Sequence, residues 1–192
     1  MHVPLLDRAS AAPPDATDSA LMLAVRAGDV ARLGELFARH FDSAYAFCRR
    51  MTHDDDAAED LAQEAFLRVL RYRASFRGEA RFTTWLHTIC RNLCASHLER
   101  RARERAEYAR VQHEPARDAP DAAQPDDLVA AALARLPEDR REVLLLTRYH
   151  DMTYEEVGAV LGCTAGTARV RAHRALAELR HAYHDLAARE DA

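Results

Sequence analysis

Long apolar runs are missing from this sequence. No stretch approaches the roughly 20 consecutive apolar residues that a membrane-spanning helix needs. Residues 1–17 contain prolines and aspartates where a secretory signal would need an apolar segment. The sequence therefore predicts a cytoplasmic protein without membrane insertion, and it predicts that residues 1–17 form a disordered lead.

Cysteine is scarce and scattered, with four residues in a chain of 192. This number and spacing exclude a disulfide framework, and a reducing cytoplasm keeps such residues as thiols. His87, Cys90 and Cys94 would share one face of a helix, where they could in principle hold a metal. Because no fourth ligand accompanies them, we interpret all three as core-facing residues, and we expect neither a metal site nor a cofactor.

Lysine is absent, so all 27 basic residues are arginine. The planar guanidinium group of arginine can donate two hydrogen bonds at once to a phosphate or a guanine edge, which the ammonium group of lysine does less well. Abundant alanine and arginine together are, however, typical of a GC-rich coding sequence, so we give the absence of lysine no functional weight. The net charge of -4 argues against a protein that coats nucleic acid through bulk charge. Any contact with DNA must come from a local basic surface.

Strand patterns are almost absent, whereas apolar residues at helical spacing recur along the chain. The sequence therefore predicts an all-α fold. The acidic run at 54–56 could bind a divalent ion, but acids at a helix start and arginines near its end also suit the helix dipole. We favour helix capping for this run.

A change of composition divides the chain. Between 111 and 127, proline, alanine, aspartate and glutamine dominate, with five acids against one arginine. We predict two small helical domains, at 18–105 and 128–187, joined by a flexible acidic linker at 106–127.

The stretch from Thr153 to Thr164 has the chemistry of a helix-turn-helix. Thr153 and Glu156 have the spacing of a capping box. Gly162 permits a tight turn, and Gly158 is small where two helices must approach closely.

The second helix of this motif has a core side and an arginine-rich outer side. Ala168, Ala172, Ala175, Leu176 and Leu179 recur at helical spacing and are predicted to face the core. The outer side carries mostly arginines, which suits insertion into the major groove of DNA. A solvated arginine-rich surface is the alternative. The predicted DNA-contacting residues are Thr167, Arg169, Val170, Arg171, His173 and Arg174.

These residues resemble the C-terminal, fourth region of bacterial sigma factors. The resemblance rests on Leu-Pro at 136–137, Arg-Glu-Val at 141–143, Tyr-Glu-Glu-Val at 154–157 and Gly-Thr at 166–167. The first domain resembles the second region of the same family at 58–66, 82–86 and 91–92. Two domains and a linker without a third region are typical of the extracytoplasmic-function (ECF) group.

The resemblance implies an alternative sigma factor that binds core RNA polymerase and promoter DNA, under the control of an anti-sigma factor. Asp60, Gln63 and Glu64 would bind arginines of a coiled coil in the largest polymerase subunit; an ordinary solvated helix face is the alternative. The second domain would recognise the distal promoter box. The residues implied for melting and recognition of the upstream promoter box are Arg73, Phe76, Arg77, Arg81, Asn92 and His97.

Two other classes of protein are alternatives. A stand-alone helix-turn-helix regulator explains the second domain equally well, but it does not explain the signature at 60–66 or the acidic linker. An enzyme is disfavoured because the sequence shows no nucleophile-base pair, phosphate loop or closed metal site.

Overall fold

The computed structural model describes residues 17–112, 128–150 and 152–190. These residues form eight α-helices, a short 3-10 turn and a π-helical turn, with no strand among them. The all-α prediction is therefore confirmed. The predicted disordered lead lies outside the described residues, apart from Thr17. Within the described ranges, no helix is both long enough and apolar enough to cross a bilayer.

The N-terminal unit consists of four helices. Helix α2 packs against α3, α4 and α1, so it lies at the centre of this unit. The side chains of Leu36, Phe47, Phe66, Phe82 and Leu86 are among those buried in its core. The helices are α1 (Asp18–Ala27), α2 (Arg32–Thr52), α3 (Asp55–Arg71) and α4 (Phe82–Gln112), with the 3-10 turn Arg73–Ser75 before α4.

Aspartate caps the start of α3. The Asp54 side chain accepts a hydrogen bond from the Ala57 N–H at 3.0 Å, and Asp55 and Asp56 lie in the first turn. Arg68 and Arg71 lie in the last turn. This distribution of charge stabilises both ends of the helix dipole, so the capping interpretation is confirmed.

The C-terminal unit is arranged around its last helix. Helix α8 packs against the other three helices of the unit, and Ala168, Ala172 and Ala175 are buried on it. Leu176 and Leu179 are partly buried against the same core, as predicted. The elements are α5 (Leu128–Ala134), α6 (Glu138–Leu144), the π-helical turn Leu145–Tyr149, α7 (Tyr154–Leu161) and α8 (Ala165–Glu190).

The segment between the units begins later than the composition predicts. Helix α4 continues to Gln112, so residues 106–112 of the predicted linker are helical. Arg110 and Glu107 there form an ion pair one turn apart, at 3.0 Å, which supports a solvated helix. The rest of the predicted linker, 113–127, lies outside the described residues.

The two units pack against each other. Helix α7 contacts α4, and α2 contacts α5 and α6. Arg141 of α6 is buried at this boundary, where its guanidinium donates to the carbonyl oxygen of Met51 at 2.8 Å. The same guanidinium donates to the carbonyl oxygens of Leu133 and Leu136, at 3.1 Å in each case. One side chain thus satisfies backbone acceptors in both units.

Candidate nucleic-acid and protein-binding surfaces

The turn between α7 and α8 has the predicted helix-turn-helix chemistry. The Thr153 Oγ1 accepts from the Glu156 N–H at 3.3 Å, and the Glu156 Oε2 accepts from the Thr153 N–H at 2.9 Å, which completes the capping box. Gly162 ends α7 in the left-handed conformation with a φ of 64°. The Thr164 Oγ1 then accepts from the Thr167 N–H at 3.2 Å at the start of α8.

Gly158 lies where the two helices of the motif approach most closely. A Cβ atom at this position would lie 2.6 Å from the carbonyl oxygen of Cys163 and 3.3 Å from the backbone nitrogen of Ala165. Both neighbours are backbone atoms that cannot rotate away. The close approach predicted from the glycine is therefore confirmed, and it fixes the angle at which α8 leaves the turn.

The first turns of α8 present a basic surface to solvent. All six residues predicted to contact DNA are exposed there, and Val170 is 48% exposed although it is apolar. Within the described ranges, no carboxylate pairs with Arg169, Arg171 or Arg174. Their guanidinium groups are thus available for phosphate oxygens and base edges. That they contact DNA remains a prediction.

Polar side chains share one outer face of α3. Asp60 and Gln63 are exposed, and Glu64 is partly exposed one turn after Asp60. The Glu64 Oε1 accepts from the Arg68 Nε at 3.0 Å, while the Gln63 Nε2 donates to the Glu59 Oε1 at 3.1 Å. Both contacts are solvent-accessible, so a partner could exchange them at little cost.

Leu67 is a functional candidate that the sequence analysis missed. Its side chain is 62% exposed, although leucine is normally buried. It lies seven residues after Asp60, which places it on the same face of α3 as Glu64. That spacing was visible in the sequence, but the exposure was not. The α3 face therefore combines acceptors with an apolar side chain, as protein interfaces commonly do.

Phe76 does not lie where an unpaired base could reach it. Its side chain is only 3% exposed and packs against Trp85 and Phe82, with ring centroids 5.3 Å and 6.4 Å apart. Arg26 also donates to the Phe76 carbonyl oxygen at 3.0 Å. A contact between Phe76 and an unpaired base therefore stays a prediction, and it would require the ring to leave the aromatic cluster in which it is buried here.

The other predicted residues of the upstream-box surface differ in accessibility. Arg77 and Asn92 are exposed, and the side chain of Arg81 is 64% exposed. Arg73 donates to the carbonyl oxygen of Leu70 at 2.9 Å, so part of its hydrogen-bonding capacity is already used. His97 is partly buried, and burial together with two neighbouring arginines lowers its pKa.

Carboxylates of the C-terminal unit contact the first half of α4. The Glu142 Oε1 accepts from the Arg91 Nε at 2.6 Å, and the Glu156 Oε1 accepts from the Thr84 Oγ1 at 3.1 Å. Arg81 lies 3.5 Å from the same oxygen of Glu156. We call this set of contacts the interdomain clasp. Thr84 and Arg91 were visible in the family signature, but no local pattern indicates their pairing with distant acids.

Two histidines meet beside the interdomain clasp. The rings of His87 and His150 have centroids 4.1 Å apart, and the Ser43 Oγ lies 3.1 Å from the His150 Nδ1. Burial lowers the pKa of His150 to about 3, helped by His87 and Arg50, and burial also lowers the pKa of His87. Both rings are therefore neutral near pH 7, which allows them to pack in apolar surroundings.

Three thiols are buried in the N-terminal unit. Cys48, Cys90 and Cys94 are all inaccessible to solvent. His87 lies beside them and is also buried. In the part of the chain that the structure describes, no group of three or more histidine, cysteine or acidic side chains is arranged to hold a metal ion. The predicted core location of His87, Cys90 and Cys94 is confirmed.

Comparison with known proteins shows that both units match models of the same protein family. The family model described as Sigma-70 region 2 matches residues 36–104, and Sigma-70, region 4 matches residues 126–179. The chain is 36% identical to RNA polymerase sigma factor CarQ of Myxococcus xanthus, over 79% of this chain and 89% of that protein. It is 32% identical to the RNA polymerase sigma-H factor of Pseudomonas aeruginosa, over 82% of this chain and 89% of that protein.

Solved structures with the same fold include a sigma factor bound to an anti-sigma factor. The sigma factor RpoE, solved in complex with the anti-sigma factor NepR from Bartonella quintana, matches with a TM-score of 0.66 and 27% identity. This match covers 78% of the present chain and 94% of that one. CnrH in complex with the cytosolic domain of CnrY matches with a TM-score of 0.65 and 26% identity, over 85% of this chain and 95% of that one.

Proposed function

Because this chain belongs to the sigma-70 family, in the ECF group of sigma factors, we propose that it directs core RNA polymerase to a specific set of promoters. The observation that carries this proposal is the presence of regions 2 and 4, in that order, on one chain. The family consists of transcription initiation factors and not of enzymes. The chain therefore acts by binding and positioning other macromolecules.

The N-terminal unit is the proposed polymerase-binding module, through the outer face of α3. The acceptors Asp60, Gln63 and Glu64 suit arginines of the coiled coil that the family resemblance implies in the largest polymerase subunit. Leu67 adds an apolar contact on the same face. An apolar side chain surrounded by acceptors supports a specific protein interface, because burial and charge pairing then act together.

The same unit is proposed to contact the upstream promoter box during melting. Arg77, Arg81 and Asn92 are the exposed candidates for this surface. Arginines would follow the phosphates of the opened strand, and the asparagine amide can both donate and accept.

The C-terminal unit is proposed to read the distal promoter box as duplex DNA. In this arrangement Arg169 and Arg174 reach base edges and Arg171 contacts phosphate. Replacing either Arg169 or Arg174 by alanine is expected to cost roughly 1 to 3 kcal/mol of discrimination at its own base pair. Competition between wild-type and single-base-changed promoter fragments for the holoenzyme measures this loss.

Arg171→Ala is the matched control for that experiment. It should weaken binding to all fragments about equally. It should also reduce the slope of log affinity against log salt concentration by about one, because one phosphate contact is lost. Unchanged base preference in the double variant R169A/R174A would contradict the assignment of α8 as the recognition helix.

Control by an anti-sigma factor is part of the proposal. RpoE, which this chain resembles over most of its length, was solved with the anti-sigma factor NepR. A similar protein would hold the present chain inactive by occupying the surfaces that polymerase or DNA would otherwise contact.

Transcription of genomic DNA by core polymerase, with and without this chain, tests the proposed function. We expect discrete new transcripts only when the chain is present, and co-purification of the chain with core polymerase. A stand-alone helix-turn-helix regulator is the second candidate, since the C-terminal unit alone would suit it. Specific DNA binding by the free chain, without any association with polymerase, would favour that candidate and reject the proposal.

A further inference from the structure

Helix α1 contacts the loop that joins the 3-10 turn to α4. We call this loop, residues 76–81, the promoter loop. The Arg26 Nη1 donates to the carbonyl oxygen of Phe76 at 3.0 Å, although 50 positions separate the two residues in the chain. Leu23 packs against Gly78, since a Cβ atom at that glycine would lie 3.6 Å from the Leu23 Cδ1. Two side chains of α1 thus hold the promoter loop at two points.

The promoter loop has a held inner side and an exposed outer side. On the inner side, the Phe76 ring is buried, and Gly78 has a φ of 79°, a conformation that favours glycine. On the outer side, Arg77 lies between these two residues and is exposed, as is Arg81 at the end of the loop. The conformation of the held residues therefore determines where the two exposed guanidinium groups lie.

The rest of α1 is anchored to the core, so the helix can serve as a support. Leu21, Met22 and Val25 are buried on it. At its start, the Asp18 Oδ2 lies 2.8 Å from the His40 Nε2 of α2. The two side chains of α1 that hold the promoter loop are themselves exposed. They can therefore be replaced without opening the core that anchors the helix.

We propose that Arg26 is a positioning residue for promoter recognition: together with Leu23, it holds the promoter loop in the conformation in which Arg77 and Arg81 meet the upstream promoter box. Helix α1 precedes the segment 36–104 that matches the region 2 model. Arg26 acts through the loop and need not contact DNA itself. This inference rests on the proposed function, because it assigns the promoter loop to promoter DNA.

A loop that is ordered before binding recognises DNA better than one that is ordered by binding. Ordering a segment at the moment of association costs free energy, and a preformed segment avoids that cost. The bond from Arg26 to the Phe76 carbonyl oxygen has a charged donor and is partly buried, which places it among the stronger hydrogen bonds. It acts on the residue directly before Arg77. Base recognition depends on exact donor geometry, so it should suffer more from a displaced loop than phosphate contact does.

The single tryptophan of the chain reports on the promoter loop without any DNA. Trp85 packs against Phe76 with ring centroids 5.3 Å apart. The variant Arg26→Met keeps most of the side-chain length but cannot donate to the Phe76 carbonyl oxygen. We expect acrylamide to quench the fluorescence of the free variant about twofold faster than that of the wild type, because local opening of the loop uncovers the indole. Equal quenching, with wild-type helix content by circular dichroism, would overturn the proposal.

The functional test uses the full chain bound to core polymerase. The probe is a promoter fragment that the genomic transcription assay has identified, with its upstream-box positions randomised and presented as an unpaired strand. Fragments bound by the holoenzyme are separated from free fragments and sequenced. We expect preference for the favoured bases of this box to fall about tenfold in R26M, the equivalent of one hydrogen bond with a charged donor. Affinity for a duplex that carries only the distal box should stay unchanged.

Two further variants separate positioning from a change of charge. Leu23→Ala removes the contact with Gly78 and keeps the net charge. It should lower the same base preference about threefold, since an apolar contact contributes less than a charge-assisted hydrogen bond. Arg26→Lys keeps a donor that can reach the Phe76 carbonyl oxygen, and it should restore most of the preference and the slow quenching of the wild type.

A direct contact between Arg26 and a DNA phosphate is the rival explanation. In that case R26M would weaken binding to all fragments equally and reduce the slope of log affinity against log salt concentration by about one. Base preference would then be unchanged in both R26M and L23A, and this result would overturn the proposal. The matched control is Arg49→Met, which removes an exposed arginine of α2 whose partner Asp55 is accessible at 2.6 Å. Its base preference should stay within about twofold of the wild type.

Transcription assays separate this inference from the proposed function. If the wild-type chain directs no transcription by core polymerase, the proposed function fails, and the promoter role of Arg26 fails with it, whatever the quenching shows. If the wild type directs transcription and R26M keeps the full base preference, only the positioning role of Arg26 fails.

Discussion

Reversing two charges on α3, in the variant D60R/E64R, is expected to weaken binding to core RNA polymerase by about 100-fold or more. Both side chains are accessible in the structure, and Glu64 has only a solvent-accessible partner in Arg68. In the proposed complex they meet arginines, so the variant would place like charges in contact and leave the partner's guanidinium groups unpaired. Surface plasmon resonance with immobilised core polymerase measures the loss directly, and promoter-dependent transcription should fall with it.

The control reverses two acids elsewhere on the same unit. Glu99 and Glu104 are exposed near the far end of α4, with ion pairs to arginines at 3.8 Å and 3.9 Å. E99R/E104R changes the net charge by the same amount and should keep polymerase affinity within a few-fold of the wild type. If D60R/E64R binds polymerase as tightly as this control, α3 is not the polymerase-binding element.

Arg141→Met is expected to lower the free energy of unfolding by about 3 kcal/mol or more. The guanidinium is 8% exposed and donates to backbone carbonyls at the end of α2 and at the end of α5. Methionine fills most of the same space but donates nothing, so several buried acceptors lose their partner at once. Urea denaturation followed by circular dichroism gives the free energy of unfolding and also shows whether the two units still unfold together.

The neighbouring arginine supplies the comparison. Arg140 lies on the same helix, but its partners Asp139 and Glu178 are accessible, at 3.3 Å and 3.0 Å. Arg140→Met removes the same charge and should cost less than about 1 kcal/mol. Equal losses for the two variants would mean that the buried carbonyl contacts of Arg141 contribute no special stability.

The helix-turn-helix could be predicted because its signals are local. Thr153 and Glu156 are three residues apart, and Gly162 follows directly, so short-range chemistry determines the capping box and the turn. The alanines on the inner side of α8 are buried for the same reason, since helical periodicity alone assigns them to one face. The all-α fold and both units followed from such local patterns.

The parts that could not be predicted depend on contacts between distant residues. Phe76 lies in a polar segment that favours exposure, yet the distant Arg26 and the aromatic rings of α4 bury it. The interdomain clasp joins Arg91 to Glu142 and Thr84 to Glu156 across the predicted linker. The change in composition at 111–127 indicated two domains, but composition carries no information about whether those domains touch.

Glu156 combines two of the contacts described above. One carboxylate oxygen completes the capping box of α7, and the other accepts from Thr84 on α4. Replacing Glu156 by a residue without a side-chain acceptor would therefore leave the Thr153 N–H without its capping partner and would also remove the contact with Thr84. The start of the helix-turn-helix and the packing of α7 against α4 thus depend on one side chain, so losing this side chain would disturb both units at once.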